Sequence, residues 1–392
     1  MIMIMKIFHT SDWHLGRMLY GRSLIEDQAF FIRQLFLPDI KAQCPDLVMI
    51  SGDLYDRKVA TVPAIRLFDE TITALAELHI PVALISGNHD SADRLAVMKP
   101  LLRRAGVYIS TTLADALSPV TLTADGETVR LFLIPFLDNA QVRDYFQDDS
   151  LHGEAACMQR ILQKLAPQCL PDGLNLLMAH CYVSGAATCD SESPFSIGGS
   201  AAIPAELFEG FDYVALGHLH GPQRVGVNGR YSGSPLKYSV DEAHHKKSYT
   251  QLEIKHGCVN PTLVPIRPMR DVRRITGLFD DILAAGKQNI CPDYVEIVLE
   301  DQRPILMAAE RLAPYYPEML AVRNPFTLQQ AGGAKSGVPR KSDERTLFHS
   351  FMTDICDMDV TPEEEKLFLD LLRESAEESP AADDKPEKEI SP

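Results

Sequence analysis

No Cys-x-x-Cys pair, no cysteine-dense segment and no apolar run of membrane-spanning length occur in the 392 residues. Eight cysteines (positions 44, 157, 169, 181, 189, 258, 291 and 356) are scattered without a framework, which excludes a disulfide scaffold and fits reduced thiols in the cytoplasm. The lack of a spanning segment excludes a helical membrane protein. The apolar start, Met1 to Met5, is too short for a signal peptide and has no basic flank. Basic charge is also scarce: the formal net charge is −16, of which −7 falls within 361–392, so the chain does not coat nucleic acid by bulk electrostatics. A local basic groove or bound divalent cations can still reverse the sign where it matters. There is no internal repeat.

What is present is an alternation. Apolar runs at Lys6–Thr10, Asp46–Ser51 and Pro81–Ser86 alternate with stretches of helical period at Leu24–Ala42, Val62–Leu78 and Ala92–Ala105. This rhythm predicts an α/β unit with parallel strands. Short strands are expected from Val107 to Phe136, a helix at Gly153–Leu165, and buried strands at Leu174–Ala179 and Tyr213–Leu216. The expected architecture is two sheets packed face to face with helices outside, over residues 1–265. Beyond a linker at Pro265–Pro268, residues 266–328 read as a small α+β domain and 329–343 as a flexible linker. Residues 344–376 read as two short amphipathic helices, and 377–392 as a disordered acidic tail.

Five of the apolar strands run into Asp, Asn or His. The first continues as His9-Thr-Ser-Asp12-Trp-His14-Leu-Gly, the second ends in Gly52-Asp53 and the third in Gly87-Asn88-His89-Asp90; two later strands end in His180 and in Gly217-His218-Leu-His220. Strand ends of open α/β sheets are where ligand-binding residues sit. Extended backbone after the first strand would aim Asp12 and His14 to one side and Trp13 to the other. Carboxylates, an amide oxygen and imidazoles without cysteine form a hard to borderline donor set, suited to Mn, Fe, Zn or Mg. Two such ions need a bridging carboxylate, and Asp53 is the natural bridge.

DxH, GD, GNHD, a lone His and GHxH in this order resemble the signature of the calcineurin-like metallophosphoesterase superfamily, whose fold is a four-layer α/β/β/α sandwich. HTSDWHLG, GDLYD, GNHD and ALGHLH together are similar to its bacterial DNA-repair nuclease branch. The resemblance implies that Asp12, His14, Asp53 and His220 hold one metal and that Asp53, Asn88, His180 and His218 hold the other, with Mn2+ the usual ion. It implies that His89 faces the substrate phosphate and protonates the leaving oxygen, with Asp90 its plausible partner. Arg17, Asp56 and Arg57 would approach the phosphate. Arg57, in GDLYDR, leans toward protein phosphatases and keeps a phosphatase or small-substrate phosphodiesterase open as the alternative to a DNA endo/exonuclease.

The region after the core favours the nuclease, since a small-molecule phosphatase has no need of an extra domain and tail helices. In the resembled branch that domain is a DNA-contacting cap, and the terminal helices dock on an SMC-like ATPase. Leu347, Phe348, Phe351 and Met352, then Leu367, Phe368, Leu371 and Leu372, provide apolar faces at helical spacing for such docking. Arg22 and Lys58 join Arg17 and Arg57 as cations in the loops after the first two strands. A homodimer within a heterotetramer is implied as well, with Leu24–Ala42 or Val62–Leu78 as candidate dimer surfaces.

Overall fold

The computed structural model describes residues 4–124, 126–189, 191–192, 202–325, 345, 348–349, 352 and 360–378. The chain divides into two compact units, 1–324 and 325–392.

The first unit is built on fifteen principal strands: β1 Met5–Thr10, β2 Leu47–Ser51, β3 Val82–Ile85, β4 Val107–Ser110, β5 Val120–Ala124, β6 Glu127–Ile134, β7 Leu174–His180, β8 Tyr213–Gly217, β9 Gln223–Val225, β10 Gly229–Tyr231, β11 Ser248–Lys255, β12 Cys258–Pro265, β13 Val272–Gly277, β14 Tyr294–Leu299 and β15 Met319–Arg323. One six-stranded sheet has the order β12-β11-β1-β2-β3-β4 and a second the order β9-β10-β8-β7-β6-β5. Within them β1 to β4 run parallel, as do β6, β7, β8 and β10.

Alternation along these strands creates the layers. On β2, Leu47 and Met49 enter a cluster shared with Leu131, Leu133, Leu176, Met178 and Ala215 of the second sheet; Val48 and Ile50 enter another, with helix residues Ile32, Phe36, Leu67 and Leu75. On β7, Leu176 and Met178 face the first sheet while Leu177 and Ala179 pack with Ile161, Leu162 and Leu165 of helix Gly153–Leu165. A period of two with both faces apolar is what a strand buried on both sides requires. Three apolar interfaces therefore separate helices, sheet, sheet and helices, the four-layer sandwich expected. Each fully buried Leu or Ile in them contributes about 1.5–3 kcal/mol.

The helical run Ile25–Gln43 passes through a π-helical stretch at Phe31–Phe36, which ends two residues before Pro38, a residue with no N–H to donate to the ladder. Phe31 and Phe36 both meet the ring of Trp13 edge-on. The predicted helix Ala92–Ala105 is instead two short helices, Ala92–Leu95 and Lys99–Arg104. Met98 takes a left-handed φ of 60°, and Pro100, barred from a helix interior, sits in the first turn of the second piece.

Strands β13 to β15 form a parallel three-stranded sheet with helices Phe279–Gln288 and Ala308–Leu312. It shares a buried cluster with the sandwich, in which Val272 and Tyr294 pack with Leu19, Leu24, Leu236, Tyr238 and Val240. Ile266 is buried and donates its N–H to Lys247, so the crossing segment is pinned rather than loose.

In the second unit, helix Pro362–Glu378 starts on a cap in which Thr361 and Glu364 exchange hydrogen bonds, and Phe348 stacks on Phe368 at 4.1 Å. Leu367 is exposed. Leu347, Phe351 and the side chain of Leu371 lie outside the described residues, as do the expected linker at 329–343 and the tail from 379.

Candidate metal centre

The C-terminal ends of β1, β2 and β3 in one sheet and of β7 and β8 in the other meet at one edge of the sandwich. The loop after β1 lies along the loop after β2: the N–H groups of Asp12, His14 and Leu15 donate to the carbonyls of Gly52, Asp53 and Leu54. The backbone is not extended there. Asp12, His14 and Asp53 have φ of 53°, 42° and 49°. Convergence thus comes from left-handed turns, each costing on the order of 1–3 kcal/mol, and not from strand alternation. Trp13 still points away, buried among Phe31 and Phe36, with Nε1 donating to Thr10 Oγ1 at 2.9 Å.

All seven expected donors come together, and Asp53 lies between them. Its Oδ2 is 3.5 Å from His14 Nε2 and 3.4 Å from His180 Nε2. On one side, His14 Nε2 faces His220 Nε2 at 3.1 Å; on the other, Asn88 Oδ1 lies 3.0 Å from His180 Nε2 and 3.2 Å from His218 Nδ1. Asp12 Oδ1 accepts from the His218 N–H at 2.9 Å, while Oδ2 is buried with no hydrogen-bond partner among the described residues. Donor atoms of Asp12, His14 and His220, and of Asp12, Asp53 and His180, lie close enough to share an ion. Close approach needs two glycines: a Cβ on Gly217 would stand 1.8 Å from the Ser51 carbonyl oxygen, and one on Gly87 2.1 Å from Asp53 Oδ1.

A family model described as calcineurin-like phosphoesterase matches residues 5–222, and one described as type 5 capsule protein repressor C-terminal domain matches 268–354. The D subunit of nuclease SbcCD from Staphylococcus epidermidis is 33% identical over 361 residues, 91% of this chain and 95% of its own. The chain belongs to the SbcD family of calcineurin-like phosphoesterases. One solved structure superposes on 67% of this chain and 99% of its own at a TM-score of 0.37 and 12% identity, too loose a likeness to carry an argument.

The SbcD-family fold implies divalent metal ions, and the donors fit them. An orphaned buried carboxylate oxygen and two imidazole nitrogens aimed at each other are what a cation would satisfy. The second ring nitrogen is anchored, as ligand histidines require, at His180, where Nδ1 lies 2.8 Å from the Ser51 carbonyl, and at His220, where Nδ1 lies 2.7 Å from Ser191 Oγ and 3.4 Å from Glu242 Oε1; His14 Nδ1 has no hydrogen-bond partner among the described residues. Burial pushes Asp12 up to about 6, pushes His14 well below the ordinary imidazole range and takes His218 down to about 3. Burial opposes charge at Asp53 and His180 too, yet their mutual attraction wins, holding Asp53 below the carboxylate range and raising His180 to about 9. Metal loading would displace the bound protons.

The residues around the donors depart from expectation. Asp90 is turned to backbone, accepting from the N–H groups of Leu54, Tyr55 and Gly87, and so ties two ligand loops together. The His89 ring is held instead by the Asp56 carbonyl, 2.8 Å from Nδ1, while the backbone N–H of His89 donates to Asp53 Oδ1. Asp56 is not placed as a phosphate contact: its buried carboxylate accepts from Arg17 at 2.8 Å and is itself negative. Arg17 is consequently shared with Asp56, and Arg57 is 71% exposed beside the same carboxylate at 3.4 Å. Arg22 binds Glu318 and the carbonyls of Pro317 and Met319.

Sequence reasoning missed the groups behind His220. Glu242 is fully buried, pairs with Lys247 and accepts from Ser191 Oγ and the Tyr238 N–H; Lys247 Nζ also donates to Ser234 Oγ and the His220 carbonyl. Asp241-Glu-Ala-His-His-Lys-Lys247 reads as a solvated run and carries no periodicity that would have flagged a buried pair.

Proposed function

We propose that the protein is a metal-dependent DNA nuclease of the SbcD type, hydrolysing phosphodiester bonds as endonuclease and 3′–5′ exonuclease with two divalent ions, most readily Mn2+. The observation that carries this reading is the single Asp53 carboxylate oxygen facing both histidine sets. Asp12, His14, Asp53 and His220 would hold one ion, and Asp53, Asn88, His180 and His218 the other. When bound, such a pair neutralises a phosphodiester and activates water for in-line attack.

The chain's own groups supply the rest. The Asp56 carbonyl accepts from His89 Nδ1 and orients the ring; with the ring doubly protonated, Nε2–H would give its proton to the leaving oxygen and the ring would return to the neutral Nδ1–H form. Asp90 and Arg17 act on loop geometry, and Arg57 is a far-reaching cation for substrate phosphate. Residues 266–328 serve as a DNA-contacting cap on the catalytic region 1–265. Phe348, Leu367 and Phe368, with Leu347, Phe351 and Leu371, form a docking segment for the SMC-like ATPase SbcC that the relative's name implies. A homodimer in a heterotetramer, working in the cytoplasm, follows from the same reading; among the described residues no helix is long and apolar enough to cross a membrane.

The test is a nuclease assay with Mn2+ on single-stranded, hairpin and blunt-ended DNA beside p-nitrophenyl phosphate. Cleavage of DNA is expected. DNA left intact while p-nitrophenyl phosphate turns over efficiently would replace the nuclease with a phosphatase. His89→Ala should lower cleavage about 10²–10⁴-fold while two ions per chain remain bound.

A further inference from the structure

Gln28 and Asp27, neighbours in the first turns of the helical run Ile25–Gln43, are both buried and face different partners. The Gln28 side chain is spent on the loop that carries Asp12 and His14: Nε2 donates to the carbonyls of Trp13 (3.0 Å) and His14 (2.8 Å), and Oε1 accepts from the Gly16 N–H at 2.9 Å. That loop holds left-handed conformations, which persist only where the surroundings over-determine them. The Tyr238 hydroxyl, also bonded to the Trp13 carbonyl, is the other side-chain anchor there.

Asp27 faces the three-stranded module. It accepts from Arg270 Nε at 3.0 Å and Nη2 at 2.6 Å, a two-pronged grip, and from the Tyr294 hydroxyl at 2.9 Å. The Arg270 guanidinium also lies over the Tyr294 ring at 5.1 Å. One peptide unit therefore joins a two-pronged polar contact of the module to the backbone of a proposed metal ligand.

We infer that Gln28 is a positioning residue for His14, and that Asp27 and Gln28 couple the module at 266–323 to the metal position built on Asp12, His14 and His220. Displacing Arg270 moves the helix turn, and the turn moves the His14 carbonyl. By linkage, whatever shifts the module changes affinity for that ion, and the ion biases the module in return. The inference rests on the two-metal reading above.

The experiment uses the full chain and Mn2+ alone, with stoichiometry and affinity from titration and amide exchange read at Gly16. Wild-type protein that binds fewer than two ions defeats the two-metal reading itself, independently of this coupling. With two ions bound, Gln28→Met, which removes three hydrogen bonds at similar length, is expected to weaken one ion about tenfold or more, leave the other unchanged and speed Gly16 exchange. Arg270→Ala, which touches no loop residue, is expected to weaken the same ion several-fold, and the double variant to fall short of the product of the two effects. Unchanged affinities in Gln28→Met overturn the positioning role, as does equal weakening of both ions, which would be general loosening. Unchanged affinities in Arg270→Ala, or strictly multiplicative effects, overturn the coupling. Gln28→Glu, which keeps the Gly16 acceptor but sets a carboxylate against two carbonyls, is expected to reproduce the selective loss if the Met variant folds poorly.

Discussion

Replacing Glu242 by Gln tests how the buried pair behind His220 works. The substitution keeps shape and one acceptor oxygen but leaves the Lys247 ammonium, 4% exposed, without its carboxylate and facing Ser234 Oγ and the His220 carbonyl. Removing one partner from a buried ion pair destabilises by about 3–5 kcal/mol. The same change takes the carboxylate from His220 Nδ1, 3.4 Å away, and loss of such an outer partner weakens metal binding about 10–100-fold, or roughly 1.4–2.8 kcal/mol. The two effects are separable. In Glu242→Gln with Lys247→Met no charge is stranded, so stability should return to within about 1–2 kcal/mol of wild type while metal affinity stays low. Urea unfolding of the metal-free protein reads the first effect and Mn2+ titration the second. A single variant with wild-type midpoint and affinity, or a double variant that regains metal affinity along with stability, would refute the reasoning.

Two further outcomes follow from the geometry. Gly217→Ala should destabilise by about 3 kcal/mol or more and lower metal stoichiometry, because its Cβ meets the Ser51 carbonyl oxygen, a backbone atom that cannot swing aside; unfolding and metal analysis check it. Burial raises Glu154 to about 7 from its ordinary 4.5, so the fold prefers the neutral acid and loses stability as pH rises through 4.5 to about 7. Since Glu154 is only half-buried, Glu154→Gln should gain about 1–2 kcal/mol at pH 8 and almost nothing at about pH 4, as read by denaturation at both values.

The convergence of the seven proposed donors was legible because strands β1, β2, β3, β7 and β8 announce themselves by apolar runs, and each run stops at a residue whose chemistry is out of place in a core. Layering was legible for the same reason: Leu47 to Ile50 are apolar at every position, which only a strand buried on both faces needs. The left-handed turns at Asp12 and His14 were not, since nothing in the residue types distinguishes a turned loop from an extended one. Nor was the task of Asp90, whose three N–H partners come from two separate loops. Glu242 and Lys247 escaped because burial of a charge pair is decided by tertiary packing. Met98 broke a periodic helix on the strength of Pro100, a signal that was present and passed over.

Strand β1 lies between β2, which follows it closely, and β11, where Ile7 is paired with Leu252. During synthesis at about 5–20 residues per second, the β11 partner emerges roughly 12–50 s after β1 itself. Over that interval the segment that will present Asp12 and His14 has one open edge, a row of unpaired N–H and carbonyl groups on apolar sequence. The nascent protein thus carries a long-lived open edge in the same strand that leads into its proposed metal ligands.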